Sequence, residues 1–535
     1  MKKRLIAVFC AFCVMVSLLY VRLSALSTSK ELAQAAQKQS SKTLTVSTVR
    51  GQIYDRRYQP LVNRETVYRA SVLPQPENFD AVLGAVDASR REDVLKLLQQ
   101  GDPFVIEVNK ALLGVPGVQT FQVPQRYQDN QTAAHIVGYL NGDGAGASGI
   151  EAAYDDLLTE NAVSATISYT LDGMGRELAG AQPTVTNPPA GTGGVVLTID
   201  RDLQQIVEKA GSQLKRGAIL MLEPATGKIR AAASFPAFSP NNLAKSIKDE
   251  ENAPMINRAF CAYSVGSTFK ISTAAAALEQ GVSRSLRYTC TGVIDVKGQK
   301  FKCHKLAGHG TLDMAGAMEE SCNPYFINLA LGLDKERLVS QASDLSFGKS
   351  YDLAPGMRTQ PGYLPTQSEL FNPADVANFS FGQGKLTATP LQVGLMMCSV
   401  LNGGRTPRAS LVEGETTDGK TLSHAQEDSA TLQAMSAQTA STIKQFLVDA
   451  VMVRENQNAK PDTVSAGGKT GTAQTGRFVD GVEMVQAWFA GFFPADQPKY
   501  VVVVLVEDGD FGNTSASPIF RQIADEVTAL EKNRS

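Results

Sequence analysis

Surplus charge of either sign is missing from this chain. Its 535 residues carry 51 Lys+Arg against 53 Asp+Glu, a formal net charge of −2, so nothing marks it as a nucleic-acid binder. Internal repeats and long low-complexity tracts are missing too, which excludes a repeat array or a large disordered region. Histidine and tryptophan are scarce, at four and one. His135 and His424 have no partners in sequence and read as structural or surface residues. The lone Trp488 reads as a core anchor. What remains is ordinary: 43% apolar and 19% charged residues, the balance of a globular protein long enough for two or three domains.

Only one apolar run is long, Leu5 to Val21, preceded by Lys2, Lys3 and Arg4. It is at the short end for a bilayer span, and Leu23 and Leu26 extend it past Arg22, which can snorkel. The cationic cluster predicts a cytoplasmic N-terminus and an exported remainder. A cleaved signal peptide is the rival reading, but no clean Ala-x-Ala site follows.

Residues 27–47 are polar and read as a stalk. Glu92 to Gln100 reads as a helix with Val94, Leu95, Leu97 and Leu98 on one face. Residues 180–194 carry prolines and glycines and read as a linker. Val195 to Ile199 then reads as a strand, Asp200 as an N-cap and Arg201 to Gln213 as a helix. Strands are expected at 217–223 and 228–233, and again at 486–493 and 500–506, the last almost wholly apolar and so central in its sheet. Ser517 to Glu531 reads as a closing helix. This pattern predicts a sheet assembled from both ends of the domain, with a helical subdomain inserted.

Three motifs carry chemistry. In Ser267-Thr268-Phe269-Lys270 the serine and lysine share a helical face at i and i+3, so the lysine can take the hydroxyl proton. Burial would shift such a lysine toward neutrality and make it a base. Ser321-Cys322-Asn323 adds a hydroxyl that can relay a proton and an amide that can hold a peptide carbonyl; alone it also reads as a helix start before Pro324. In Lys469-Thr470-Gly471-Thr472 the lysine and hydroxyls suit a terminal carboxylate, and Gly471 admits a substrate close to the strand. The backbone N–H groups of Ser267 and Thr472 would form an oxyanion hole. Each motif is weak alone; the three in this order are not accidental.

With these motifs the chain resembles a class B penicillin-binding protein, a monofunctional peptidoglycan D,D-transpeptidase, over nearly its whole length. Arg50-Gly51-x-Ile53-x-Asp55-Arg56 is similar to the motif opening that family's membrane-proximal pedestal, although Tyr58 stands where the family usually has glycine and the local turn is expected to differ. His135-Ile136-Val137-Gly138-Tyr139 with Gly149-Ile150-Glu151 and Tyr154 resembles another pedestal motif. Phe381-Gly382-Gln383-Gly384 and Thr389-Pro390-Leu391-Gln392 resemble a stretch of the transpeptidase domain. PASTA repeats like those of some relatives are not found.

The resemblance implies an α/β multidomain protein: a cytoplasmic tail and single transmembrane helix (1–26), a stalk (27–49), a mixed α+β, dimerisation-like pedestal (50–190) and a transpeptidase domain (191–535). That last domain would have a central antiparallel sheet flanked by helices, as in serine β-lactamases. It also implies that Ser267 attacks the penultimate D-Ala of a stem peptide and expels the terminal D-Ala. Lys270 would be the base, Ser321 the proton relay, and Asn323 a substrate-positioning group. Lys469, Thr470, Gly471 and Thr472 would hold the carboxylate, and a neighbouring stem-peptide amine would resolve the acyl-enzyme. β-Lactams would acylate Ser267. A SEDS-type glycosyltransferase is the implied partner, and a single-pass bacterial cell membrane protein with its catalytic domain outside is the implied location. The alternatives are a D,D-carboxypeptidase or β-lactamase-type hydrolase, for which no deacylation motif is found, and a non-catalytic β-lactam-binding sensor or scaffold.

No cofactor is required for this chemistry. Cys290, Cys303, His309 and Cys322, spaced Cys-x12-Cys-x5-His-x12-Cys, nevertheless match a tetrahedral structural zinc site. A Cys290–Cys303 disulfide and unconnected buried thiols are the alternatives. His304 is a spare ligand, adjacent to Cys303 and so awkwardly placed. Some class B relatives carry metal ligands at similar positions, and others a regulatory cysteine pair. Cys261 and Cys398 read as core packing, and Glu507 and Asp508 as solvated turn residues.

Overall fold

A computed structural model describes residues 2–30, 41–172, 178, 181–425, 431–454 and 457–534. The chain forms two compact units that interleave along the sequence: 1–50, 63–126 and 162–191 in one, and 51–62, 127–161 and 192–535 in the other. The sequence reading instead runs anchor (1–26), stalk (27–49), pedestal (50–190) and transpeptidase domain (191–535) as successive segments.

In the first unit, Lys2–Ser27 is one helix of 26 residues. It is the only helix among the described residues long and apolar enough to cross a membrane. The expected stalk is a strand over Ser41–Val49, paired antiparallel with Val163–Thr170; residues 31–40 of that stalk lie outside the described residues. The expected linker contributes Thr184–Thr186 to the same sheet. A second sheet pairs Glu65–Val72 with Phe104–Val108 and Val118–Gln125. The helix Arg91–Gln100 buries Val94 and Leu98, whereas Leu97 is exposed. Its apolar face is therefore narrower than the leucine pattern implied.

In the second unit, Gln52–Tyr54 pairs in parallel with Gly194–Leu197. Asp55 accepts the backbone N–H of Arg57 and of Gln59, both at 2.8 Å. Tyr58 adopts φ +58°, the left-handed conformation that glycine favours.

The principal sheet has five antiparallel strands in the order β2-β1-β5-β4-β3. These are β1 (Gly217–Leu222), β2 (Ile229–Phe235), β3 (Gly467–Val479), β4 (Val482–Phe493) and β5 (Tyr500–Gly509). Two strands from the start of the domain thus meet three from its end, with β5 central. β5 is apolar from Val501 to Val506, where both faces are buried. Val501, Val503 and Leu505 join one core with helices α2 (Lys270–Glu279) and α5 (Pro390–Leu401). Val502 and Val504 join another with α1 (Arg201–Ala210) and α7 (Ser517–Arg534). Asp200 caps α1, accepting from the backbone N–H of Asp202 and Leu203. That helix ends at Ala210, three residues earlier than the sequence predicts. At Gly211 a side chain would strike the Phe235 ring, at 2.3 Å. Between the two halves of the sheet lie α3 (Met314–Glu319), α4 (Asn323–Leu331) and α6 (Ala437–Met452), with α2 and α5.

Candidate active site

Ser267 sits on a tight helical turn, Gly266–Phe269, that runs directly into α2. Gly266 has φ +63° and donates its N–H to Gly382 O at 2.9 Å. A Cβ on Gly382 would lie 2.1 Å from Gly266 O, and one on Gly266 would lie 2.5 Å from Thr472 O. A Cβ on Gly471 would meet Thr268 Cγ2 at 3.0 Å. Three glycines from three motifs therefore let the serine turn, the Phe381–Gly384 loop and strand β3 close on one another. The seam puts the backbone at Ser267 and at Thr472 side by side. Trp488, fully buried on β4, donates Nε1–H to Ser264 O at 2.9 Å and pins the turn from the sheet side.

Lys270 is completely buried. Its Nζ lies 2.6 Å from Ser321 O, 2.6 Å from Asn323 Oδ1, 3.0 Å from Ser267 Oγ and 3.2 Å from Ser321 Oγ. The Phe326 ring centroid is 5.7 Å away. Burial lowers its pKa from 10.5 to about 7, against the opposing pull of the neighbouring Cys322 and Cys303. Ser321 takes φ +52°, a strained conformation for a residue with a Cβ, and this aims its carbonyl at Lys270. Ser267, Ser321, Asn323, Thr470 and Thr472 are all partly open to solvent, while both lysines are buried.

Lys469, on β3, is 2% exposed. Burial, then the nearby charges of Lys270 and Arg454, hold its pKa well below the ordinary value. Its Nζ donates to Thr470 O at 3.3 Å, and among the described residues neither lysine has a carboxylate partner. Such a site is short of one negative charge. Thr472 Oγ1 accepts from Gly512 N–H at 3.2 Å. The structure thus brings Ser267, Lys270, Ser321 and Asn323 into one hydrogen-bonded group and sets Lys469, Thr470, Gly471 and Thr472 on the strand beside it.

Cys290, Cys303, His309 and Cys322 also converge: their ligand atoms all lie within 4.8 Å of one another. The three cysteines are free thiols, and Cys290, Cys303 and Cys322 are at most 2% exposed. His309 Nδ1 is 3.5 Å from Cys303 Sγ, and its Nε2 is buried without a hydrogen-bond partner. A hydrogen bond from the Cys322 thiol pulls Cys303 toward the thiolate, and that shared proton pushes Cys322 up. Three sulfurs and one imidazole, with Nδ1 the ring nitrogen nearest Cys303 Sγ, fit a tetrahedral soft-metal site. His304 stands outside this set, grouped with His309 and Glu320.

Sequence reasoning missed some groups. Glu507 and Asp508 are not solvated turn residues. Glu507 accepts from Arg258 Nε and from Tyr263 Oη, each at 2.8 Å, and Asp508 pairs with Arg216 and Arg477. Arg454 and Glu320, which pair at 3.2 Å, also went unseen, since no motif contains them.

The Transpeptidase family, described as the penicillin binding protein transpeptidase domain, matches residues 217–525. That span covers more than half of the chain and holds all three motifs. The chain belongs to this family. Its relatives place it among the class B penicillin-binding proteins, serine-type D,D-transpeptidases. It is 28% identical to Stage V sporulation protein D of Bacillus subtilis over 532 residues, covering 92% of this chain and 80% of that protein. It is 30% identical to peptidoglycan D,D-transpeptidase PbpA of Mycolicibacterium smegmatis over 436 residues, covering 75% and 83%. A solved complex of a penicillin-binding protein with MreC from Helicobacter pylori shares the fold, with a TM-score of 0.66 at 20% identity, covering 92% of this chain and all of that one. As a class B penicillin-binding protein with one long apolar N-terminal helix, the chain is a single-pass membrane protein.

Proposed function

We propose that this penicillin-binding protein cross-links peptidoglycan stem peptides through an acyl-enzyme on Ser267, with Lys270 as its base. The hydrogen-bond count around Lys270 carries the reading. A neutral amine has two N–H groups and one lone pair. Ser321 O and Asn323 Oδ1 can only accept, and both lie at 2.6 Å, so they take the two N–H groups. The lone pair is left for the Ser267 hydroxyl at 3.0 Å. As Ser267 Oγ bonds to the carbonyl carbon of the penultimate D-Ala, its proton passes to Lys270. The backbone N–H groups of Ser267 and Thr472 receive the oxyanion. Collapse of the tetrahedral adduct breaks the peptide bond, and Ser321 Oγ, 3.2 Å from Lys270, relays that proton to the leaving D-Ala amine. Lys469, Thr470 and Thr472 bind the terminal carboxylate, which supplies the negative charge this pocket lacks. An acceptor amine then attacks the ester carbonyl, Lys270 takes the amine proton, and as the carbon–Oγ bond breaks Lys270 returns it to Ser267 Oγ, which restores both groups. β-Lactams enter by the same first step.

The domain reading stays as the sequence has it, with the transpeptidase domain over 191–535 and the pedestal over 50–190. The N-terminal lysines and arginine favour a cytoplasmic N-terminus with the catalytic domain outside. A SEDS-type glycosyltransferase is the proposed partner in strand synthesis. A zinc ion held by Cys290, Cys303, His309 and Cys322 would brace the Ser321–Asn323 loop and supply no chemistry. Metal analysis of the purified chain should find one zinc per chain, lost in a Cys290→Ser/Cys303→Ser variant; a metal-free native protein would end the zinc reading.

The test is intact mass spectrometry after incubation with a penicillin. The native protein should keep a covalent adduct that Ser267→Ala does not form. A native adduct that disappears within minutes would instead identify a hydrolase, and a folded native protein with no adduct would leave a scaffold.

A further inference from the structure

The chain carries a bridge between its serine loop, its thiol cluster and the segment leading to Lys469, and that bridge is Arg454. The last carbonyls of a helix need partners. At the end of α3, Gly316 O is taken by Glu320 N–H at 2.8 Å, Ala317 O by Cys322 N–H at 2.9 Å and Met318 O by Ser321 N–H at 3.3 Å. Among the described residues Glu319 O has no such backbone donor, and Arg454 Nη1 donates to it at 2.8 Å. The other arm, Nη2, donates to Glu320 Oε2 at 3.2 Å. Glu320 Oε2 in turn lies 3.6 Å from His309 Nε2, the ring nitrogen that faces away from Cys303.

One guanidinium therefore holds both the backbone that enters Ser321 and the carboxylate that faces His309. Arg454 follows α6, whose chain continues into β3 and Lys469, so it joins the two walls of the catalytic group from behind. A planar fork suits this double hold, and an ammonium does not. Ser321 makes the demand plain. Its strained φ persists only where the surroundings over-determine it, and Arg454 and the cluster at Cys322 are what fix that loop from either side.

The structure assigns Arg454, with Glu320, as a positioning pair for the transpeptidase reaction: Arg454 holds Ser321 and Asn323 on Lys270 and links the His309 cluster to the wall that bears Lys469. This rests on the roles proposed above for Ser267, Lys270 and Ser321. The pair touches neither the reacting carbonyl nor the substrate carboxylate.

The test uses the full chain in detergent and penicillin as the probe, with binding (Kd) separated from acylation (k2). Arg454→Ala, Arg454→Lys, Glu320→Gln and the Arg454→Ala/Glu320→Gln double variant are compared with the native protein. Reaction of the buried thiols with a chromogenic disulfide reagent gives a second readout. Arg454→Ala should lower k2 by about tenfold, the scale of lost supporting contacts, with Kd changed less than about twofold, and should speed thiol reaction. Arg454→Lys should recover only part of k2, and the double variant should be no slower than the slower single. A native k2 in Arg454→Ala, a loss confined to Kd, additive losses in the double variant, or unchanged thiol reactivity would each overturn the assignment. A native protein that penicillin does not acylate would instead overturn the transpeptidase mechanism, so the two failures are distinct.

Discussion

Lys270 faces four oxygen atoms within 3.2 Å and no carboxylate, so its protonation state decides what the site can do. Its pKa falls from 10.5 to about 7 because it is buried. Below that value the amine is charged and has no lone pair; above it the amine is neutral and can accept the Ser267 proton. The acylation rate should therefore rise as pH increases through about 7 and level off above it, measured as k2 for penicillin. The unfolded chain holds this proton up to the ordinary lysine range and the folded chain does not. The contribution to stability thus grows with pH between about 7 and 10.5 and is lost as pH falls through 7. Lys469 poses the opposite problem, a buried cation site with no anion. Masking the penicillin carboxylate as a methyl ester should weaken binding by about 1.5–3 kcal/mol, the worth of a charged hydrogen bond. Lys469→Ala should weaken the free acid by a similar amount and leave the ester unaffected. Equal sensitivity of both ligands would show that Lys469 does not meet the carboxylate.

At the scale of elements, the site is a junction of a turn, a loop and a strand that only glycines allow. Gly382 has φ +76° and no room for a Cβ beside Gly266 O. Gly382→Ala should lower unfolding stability by about 2 kcal/mol and slow acylation, read by thermal melts and k2 together; a native melt with native k2 would mean that the loop does not set the serine turn. Four of the five strands of the main sheet were legible as apolar runs separated by Pro-Ala-Thr-Gly and Pro-Ala-Asp turns, whereas Gly467–Val479 is too polar to be read that way. The strand at 41–49 was not. Its Ser, Thr and Lys side chains alternate with buried ones, and its pairing with 163–170 is a long-range choice that local composition does not record. The narrow buried face of Arg91–Gln100 was likewise set by what packs on it, not by how many leucines it carries.

For the molecule as a whole, Asp200 is a tie point. It is fully buried, caps α1, and lies 3.6 Å from Arg56, 3.2 Å from Arg57 and 3.1 Å from Arg534. Residues near 56 and near 534 thus meet at one carboxylate inside the same compact unit. Asp200→Ala removes the helix cap and one carboxylate from three guanidinium groups, of which Arg57 and Arg534 keep Asp202 at 2.7 Å, so it should lower unfolding stability by about 2 kcal/mol. Asp200→Asn, which keeps the cap, should lose less; chemical denaturation of both variants checks this, and equal losses would refute a charge contribution. The interleaving of 51–62 and 127–161 with 192–535 has the same origin: residues far apart in sequence share one core.

The groups proposed to react could be picked out from sequence alone because their motifs depend on short spacings. Ser267 reaches Lys270 through one helical turn, and Lys469, Gly471 and Thr472 lie along one strand. That the sheet draws strands from both ends of the domain, with 500–506 central, followed from where apolar runs fall. Tertiary structure alone decided the rest. It brought Ser321 O and Asn323 Oδ1 onto Lys270 and so determined which proton that lysine can accept. It gathered four ligand atoms from a span of 33 residues, 290–322, and placed Arg454 across the end of α3. Those contacts join residues whose separation along the chain carries no period, so only packing could select them.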